Sequence, residues 1–116
     1  MSASAQASRR ARRSRNKGAE GEREVVNLHK AMKVHAERVP LSGAMAYQQN
    51  GEDVDVYALG RGQAPLVCQV KRQKDDRGWK TLLSQLGEAD ALFLRSDRGK
   101  WHVVLPIESY LRLIRG

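Results

Sequence analysis

Apolar side chains recur along this chain with two periods, and the places where the period changes divide it into elements. Val25, Val26, Leu28 and Met32 lie at helical spacing behind Glu20, Glu22 and Glu24, acids that suit the positive end of a helix dipole. The spacing predicts a helix from about Ala19 to Val34 with that stripe inward. His35 to Val39 reads as a short strand ending at Pro40. Leu41 to Gly51, with Gly43, Asn50 and Gly51 and no clean period, reads as a loop. Val54, Val56 and Ala58 alternate with Asp53, Asp55 and Tyr57, a strand by its period of two. Leu66 to Lys71 repeats that pattern after the turn residues Gly60, Arg61, Gly62 and Gln63, so the two segments make a hairpin. Beyond Gly78, Leu82, Leu83 and Leu86 predict a helix that stops near Gly87. Ala91 to Leu94 and Trp101 to Leu105 read as strands on either side of a tight turn at Asp97-Arg98-Gly99. Pro106 then opens a last helix with Ile107, Tyr110, Leu111 and Ile114 as its inward stripe. The order is helix, strand, strand, strand, helix, strand, strand, helix. It predicts an α/β fold, a mixed central β-sheet flanked by helices.

The first 17 residues break both patterns. They hold Arg9, Arg10, Arg12, Arg13, Arg15 and Lys17 among Ser, Ala, Gln and Asn, with no acid and no large apolar side chain after Met1. A segment that buries nothing cannot offset its ordering entropy, so 1–17 is expected as a disordered basic arm ahead of a single domain over 18–116. Such an arm suits sequence-independent phosphate contact. A passive solubilising tail and an Arg/Ser-rich transit peptide are the competing readings, and the second lacks an amphipathic Leu or Phe face. No apolar stretch follows the charges, which argues against a secretory signal.

Composition narrows the function. With 116 residues there is room for one core and one catalytic module. No apolar run approaches the ~20 residues that span a bilayer, and no helix pairs a broad Trp/Phe/Leu face with a basic one, so a membrane partner is not expected. A single cysteine, Cys68, excludes an internal disulfide framework and a cysteine-based zinc site, and fits a reducing intracellular compartment. The formal charge of +8, from 21 Lys and Arg against 13 Asp and Glu, draws polyanions, of which nucleic acid is the commonest inside cells.

The two middle strands hold the chemistry. Alternation puts Asp53 and Asp55 on one face of their strand, and Gln69 and Lys71 on one face of the next. In a hairpin a carboxylate, a carboxamide and an ammonium then converge. Hard cations such as Mg²⁺ take oxygen ligands from one or two carboxylates plus phosphate and water. A neighbouring Lys orients the attacking water or stabilises developing charge, which is what metal-assisted phosphodiester hydrolysis requires. Of the acids on the first helix, Glu22 is the one most nearly aimed inward. A solvated acidic first turn is the plain alternative. His29, His35 and His102 show no metal spacing, and Cys68 alternates inward with Leu66 and Val70 as an inert core thiol. Trp79 and Trp101 are better read as packing residues than as base-stacking platforms.

Taken together, Lys17-Gly18-Ala19-Glu20-Gly21-Glu22-Arg23-Glu24-Val25, Arg38-Val39-Pro40-Leu41-Ser42-Gly43, Asp53-Val54-Asp55-Val56-Tyr57-Ala58 and Val67-Cys68-Gln69-Val70-Lys71 resemble, in order and spacing, an archaeal-type Holliday junction resolvase of the PD-(D/E)xK nuclease superfamily. The resemblance implies a restriction-endonuclease-like core. It makes Glu22 the helix-borne acid of a metal site, Asp55 the central ligand, Gln69 the replacement for the usual Glu, and Lys71 the catalytic lysine. Arg38 and Ser42 match the loop that acts on the scissile phosphate. Two departures stand out: no proline precedes Asp55, and the amide of Gln69 removes one negative charge, which weakens metal binding. Asp53, Asp75 or Asp76 are the candidates to compensate.

The resulting expectation is a Mg²⁺-dependent endonuclease, with Mn²⁺ as an alternative ion, that resolves branched DNA as a homodimer. Its DNA contacts are expected from the arm residues together with Arg38, Lys71, Arg72 and Lys74. It would act in the cytoplasm or at the nucleoid, encoded by a cell or a virus. A same-fold nuclease for flaps or nicked duplex, and a non-catalytic DNA-binding protein with a degenerate site, are the alternatives.

Overall fold

The computed structural model describes residues 18–39, 53–75 and 77–116. The basic arm, the loop Leu41–Gly51 with Ser42, and Asp76 lie outside the described residues. Helix α1 covers 18–31 and is followed by β1 (Ala36–Arg38), β2 (Val54–Val56), β3 (Leu66–Gln73), α2 (Trp79–Leu86), β4 (Ala91–Ser96), β5 (His102–Val104) and α3 (Ile107–Arg115). The sheet order is β1-β2-β3-β4-β5. All neighbours are antiparallel except β3 and β4, whose parallel pairing is made by the α2 crossover. This is the α/β architecture, a mixed sheet with helices on both faces, that the order of elements predicts.

The inward side chains of β2 and β3 explain the larger core. Val54, Val56, Leu66, Cys68 and Val70 share one face with Ala36 and Ala91, and Val25 and Val26 of α1 close over them. Leu113 of α3 packs against the same cluster, so α1 and α3 cover one side of the sheet. Burying Val25, Val54 and Val56 contributes about 1.5–3 kcal/mol each. On the opposite face Leu92 packs with Leu86 and Ala89 under α2, a smaller cluster.

Both terminal helices turn differently from their predicted stripes. In α1 the buried positions are Gly21, Val25 and Val26, while Leu28 and Met32 are exposed. The helix ends at 31, and Lys33 takes a positive φ of 62° that reverses the chain into β1. His29 replaces Leu28 on the inner side: its Nδ1–H donates to the Val25 carbonyl at 2.7 Å and its ring meets Phe93 edge-on at 5.3 Å. In α3, Ser109 and Leu113 face the core, and Ile107, Tyr110, Leu111 and Ile114 face solvent. Arg112 sets that rotation, with Nη1 3.6 Å from Asp90 and Nη2 donating to the Ala64 carbonyl at 3.5 Å. Asp90 in turn accepts the Val67 amide at 2.8 Å and so ties β3 to the start of β4. The strand expected through Ala58 ends at Val56, where the chain enters the turn before Gly60, whose φ is 101°. β3 continues two residues past Lys71, to Gln73.

Candidate active site

Three strands place the chemistry at one end of the sheet. β1 and β3 run in the same direction and β2 runs against them, so Arg38, Asp53 and the second half of β3 lie at the same end. Asp53 precedes β2 and is held from both sides. Its carbonyl accepts the Val39 amide at 3.0 Å, and its own amide donates to the Cys68 carbonyl at 2.8 Å. Its carboxylate Oδ2 then accepts the Val70 amide at 2.8 Å, a donor the β2 backbone no longer reaches.

The bonds at the start of β2 decide which aspartate lies near the lysine. Val54 pairs with Cys68 and Asp55 with Val67, and Asp53 is bonded to Cys68 and to Val70, the two neighbours of Gln69 on β3. Lys71 is two residues further along β3 on the same face, about 7 Å at ~3.3 Å per residue. Asp55 sits four residues back from Lys71 in that register, about 13 Å away. Its cross-strand neighbour is Glu37, and Tyr57 is close by. The Tyr57 hydroxyl donates to Glu37 Oε1 at 3.4 Å, and burial, then the Glu37 and Asp55 charges, push its ionisation up. The structure therefore brings Asp53, Gln69 and Lys71 together and leaves Asp55 with Glu37. A two-residue shift in strand pairing is invisible to alternation, because Asp53 and Asp55 have the same parity; the bonds between the paired strands are what separate them. Asp53-Val54 also satisfies an acid followed by an apolar residue.

Gln69 is buried and Lys71 is exposed. Glu22 arrives from the other side of the sheet, at the start of α1. Its Oε1 accepts the Arg38 Nε–H at 3.0 Å, with the Glu22 side chain 17% exposed. Gly21 makes this possible. A Cβ there would stand 3.1 Å from Cγ of Arg72, so the glycine lets the helix start lie directly on β3. Arg72, expected on DNA, is a strut: its guanidinium reaches Glu20 at 3.1 Å and Asp97 at 3.9 Å, and its side chain is 15% exposed. Next to it on β4, Arg95 pairs with Glu24 at 3.6 Å and lies over the Trp101 ring at 5.6 Å. Sequence reasoning missed this second arginine and the Asp90 tie, because each is assembled from distant elements. Lys74 is exposed, beyond the end of β3. Ser42 and Arg9, Arg10, Arg12, Arg13, Arg15 and Lys17 lie outside the described residues.

On the Lys71 face the strands continue through Leu94 to His102. There a cleft of about 580 Å³ opens beside α2, with Arg77, Lys100 and His102 on its walls. Cys68 is buried, and desolvation, then the Asp90 and Asp55 charges, push its thiol up to about 12; it is no nucleophile at neutral pH. Among the described residues no three His, Cys, Asp or Glu side chains cluster as a metal site. The Asp53 carboxylate and the Gln69 carboxamide are nevertheless hard oxygen donors on neighbouring strands, a donor set that fits a divalent cation completing its shell with water and phosphate.

The five-stranded mixed sheet with helices on both faces is an α/β architecture of the restriction-endonuclease-like kind. The sequence profile of the family described as "Phage putative PDDEXK endonuclease" matches residues 13–115, and the chain belongs to that family. This supports the nuclease superfamily; the archaeal-type resolvase named by the resemblance is a finer assignment than the match makes. No curated protein and no solved structure matches the chain. Among the described residues no helix is long and apolar enough to cross a membrane.

Proposed function

We propose that this chain is a Mg²⁺-dependent, structure-selective DNA endonuclease that cuts four-way junctions, with Asp53 in the metal-holding role that the resemblance gives to Asp55. The observation that carries the reading is the seat of Asp53, bonded to Cys68 and Val70 on either side of Gln69, with Lys71 two residues further along β3. Asp53 and Gln69 would hold the ion, and Glu22, on the other side of the sheet, would act through Arg38, which it fixes. A bound divalent ion supplies Lewis acidity toward the phosphate and an acidified water. Lys71, exposed on that face, orients the attacking water or stabilises charge on the phosphate oxygens. Arg38, fixed by Glu22, offers a guanidinium to the scissile phosphate, and the resemblance gives Ser42 a part in the same step. The cleft of Arg77, Lys100 and His102 supports a duplex path across β4 and β5, and the basic arm adds contacts that carry no sequence information. A four-way junction presents two equivalent strands, and one chain has one such site, so paired cutting takes two copies. The phage family and the reducing chemistry of a lone cysteine support action on DNA inside an infected cell.

The test is cleavage by the purified full chain on four-way junction, flap, nicked and linear duplex DNA, with Mg²⁺, with Mn²⁺ and with chelator. Junction cutting that needs the ion and exceeds cutting of linear duplex is expected. Equal cutting of all substrates overturns the junction selectivity, and cutting in chelator overturns the metal. Gln69 favours a second reading, a DNA-binding protein whose site has decayed. The Gln69→Glu variant separates the two: an active wild type whose half-saturating Mg²⁺ concentration falls in the variant supports the nuclease, whereas activity gained only in the variant supports decay.

A further inference from the structure

The last helix turns its apolar stripe to solvent. Ile107, Tyr110, Leu111 and Ile114 are 47–61% exposed on a helix of nine residues. Isolated exposed apolar residues are ordinary on monomers; four in a contiguous row mark a contact surface. The row is also a palindrome. About a centre between Tyr110 and Leu111, large apolar residues occupy the same positions read from either end of the helix.

The flanking charges choose the pairing. Glu108 lies in the first turn and Arg115 in the last. At ~100° per residue both fall on the same side of the stripe, roughly 90–110° from its centre. Place a second copy of the helix against the stripe, antiparallel, related by a two-fold axis through that centre. Ile107 then meets Ile114 of the second copy, and near the axis Tyr110 meets Tyr110 and Leu111 meets Leu111 of the second copy. The two-fold keeps each flank on its own side and reverses the helix direction. Glu108 therefore comes within two residue steps of Arg115 of the second copy, about 3 Å along the axis at ~1.5 Å per residue. The ion pair forms twice. A parallel two-fold pairing carries the charged flanks to opposite sides of the interface, so no Glu108–Arg115 pair forms.

We propose that α3 is the surface on which two copies of this chain associate, antiparallel helix on helix about a two-fold axis. The proposal stands apart from the nuclease reading, because no residue of the stripe belongs to the candidate site. A stable interface buries about 800 Å² per copy, more than one nine-residue helix offers, so association is concentration-dependent.

Sedimentation of the full chain over a range of loading concentrations tests it. The mass should rise from 13.0 kDa toward twice that value. Leu111→Glu should weaken association about tenfold or more with the melting temperature nearly unchanged, because the side chain is exposed. Glu108→Arg and Arg115→Glu should each weaken it, and the double exchange should restore it. A constant mass of 13.0 kDa at every concentration overturns the proposal. So does a dimer indifferent to Leu111→Glu, or one that the double exchange fails to restore. A monomer that Leu111→Glu destabilises would mean that a segment of the same chain covers the stripe, and this too overturns it.

Discussion

The carboxylate of Asp53 accepts the Val70 amide at 2.8 Å, a bond that the oxygen of an asparagine makes as well. Asp53→Asn therefore removes charge without removing the strap at the start of β2. Cleavage should fall by about a hundredfold or more, while junction affinity and melting temperature hold. Asp55→Asn, beside Glu37 and distant in register from Lys71, should keep most of the activity and relieve like-charge repulsion across β1 and β2. Cleavage, gel shift and melting of the two variants side by side check this, and the reverse ranking returns the metal to Asp55. Cys68 makes a prediction about pH. Its thiol is raised from 9.0 to about 12, chiefly by burial, so the folded chain keeps a proton that the unfolded chain releases. That contribution to stability is fully present below pH 9 and is lost as pH rises toward 12. Within the window each pH unit costs about 1.4 kcal/mol. Denaturant melts between pH 8 and about 10.5 should show a steeper loss of stability for wild type than for Cys68→Ala; parallel curves would deny the burial of the thiol its energetic meaning.

At the scale of elements, the seat of α1 on β3 is the contact on which Glu22 depends. Gly21 has no Cβ, and one would stand 3.1 Å from Cγ and 3.2 Å from Cδ of Arg72. Alanine trades better helix propensity against a squeeze on Arg72, two effects of about 1 kcal/mol with opposite signs. Valine adds two methyls to the same contact and a stiff χ1 to the helix. Gly21→Val should cost about 1–3 kcal/mol in denaturant unfolding and lift the start of α1 from the sheet. Cleavage by the folded fraction should also fall, since the Glu22–Arg38 pair at 3.0 Å moves with the helix. Stability equal to wild type would show that Arg72 yields, and that the close approach is incidental. The arginines beside this seat are struts: Arg72 and Arg95 answer Glu20, Glu24 and Asp97, and fasten the helix to the sheet.

For the whole molecule, charge sets the approach to a polyanion. The family match begins at residue 13, so residues 1–12 with Arg9, Arg10 and Arg12 form an extension that can be removed on its own. If all three arginines neutralise phosphates, their loss should make the slope of log affinity against log salt shallower by as much as about 2.7, at ~0.9 per contact. Binding measured at several salt concentrations on junction and linear duplex checks it. The loss should be similar for both DNAs, because phosphate contacts do not read structure or sequence. An unchanged slope would leave the DNA contacts to the domain.

What the sequence by itself determined was the order and type of the elements, since each follows from a local period of two or 3.6 and from turn residues such as Gly60, Gly87 and Gly99. The antiparallel pairing of the middle strands was legible too. Local pattern carries that information because neighbours in the chain must share a hydrophobic side. The rotation of the end helices was decided only by tertiary structure. Leu28, Met32 and the α3 stripe look like core positions along the chain, and what turns them outward is the seat of Gly21 on Arg72 and the grip of Arg112 on Asp90 and Ala64. The choice between Asp53 and Asp55 was equally beyond local pattern. Both have the same parity, and only the bonds of Asp53 to Cys68 and Val70 set it beside Gln69. Parity is a property of a strand; register is a property of two, and it exists only once they pair.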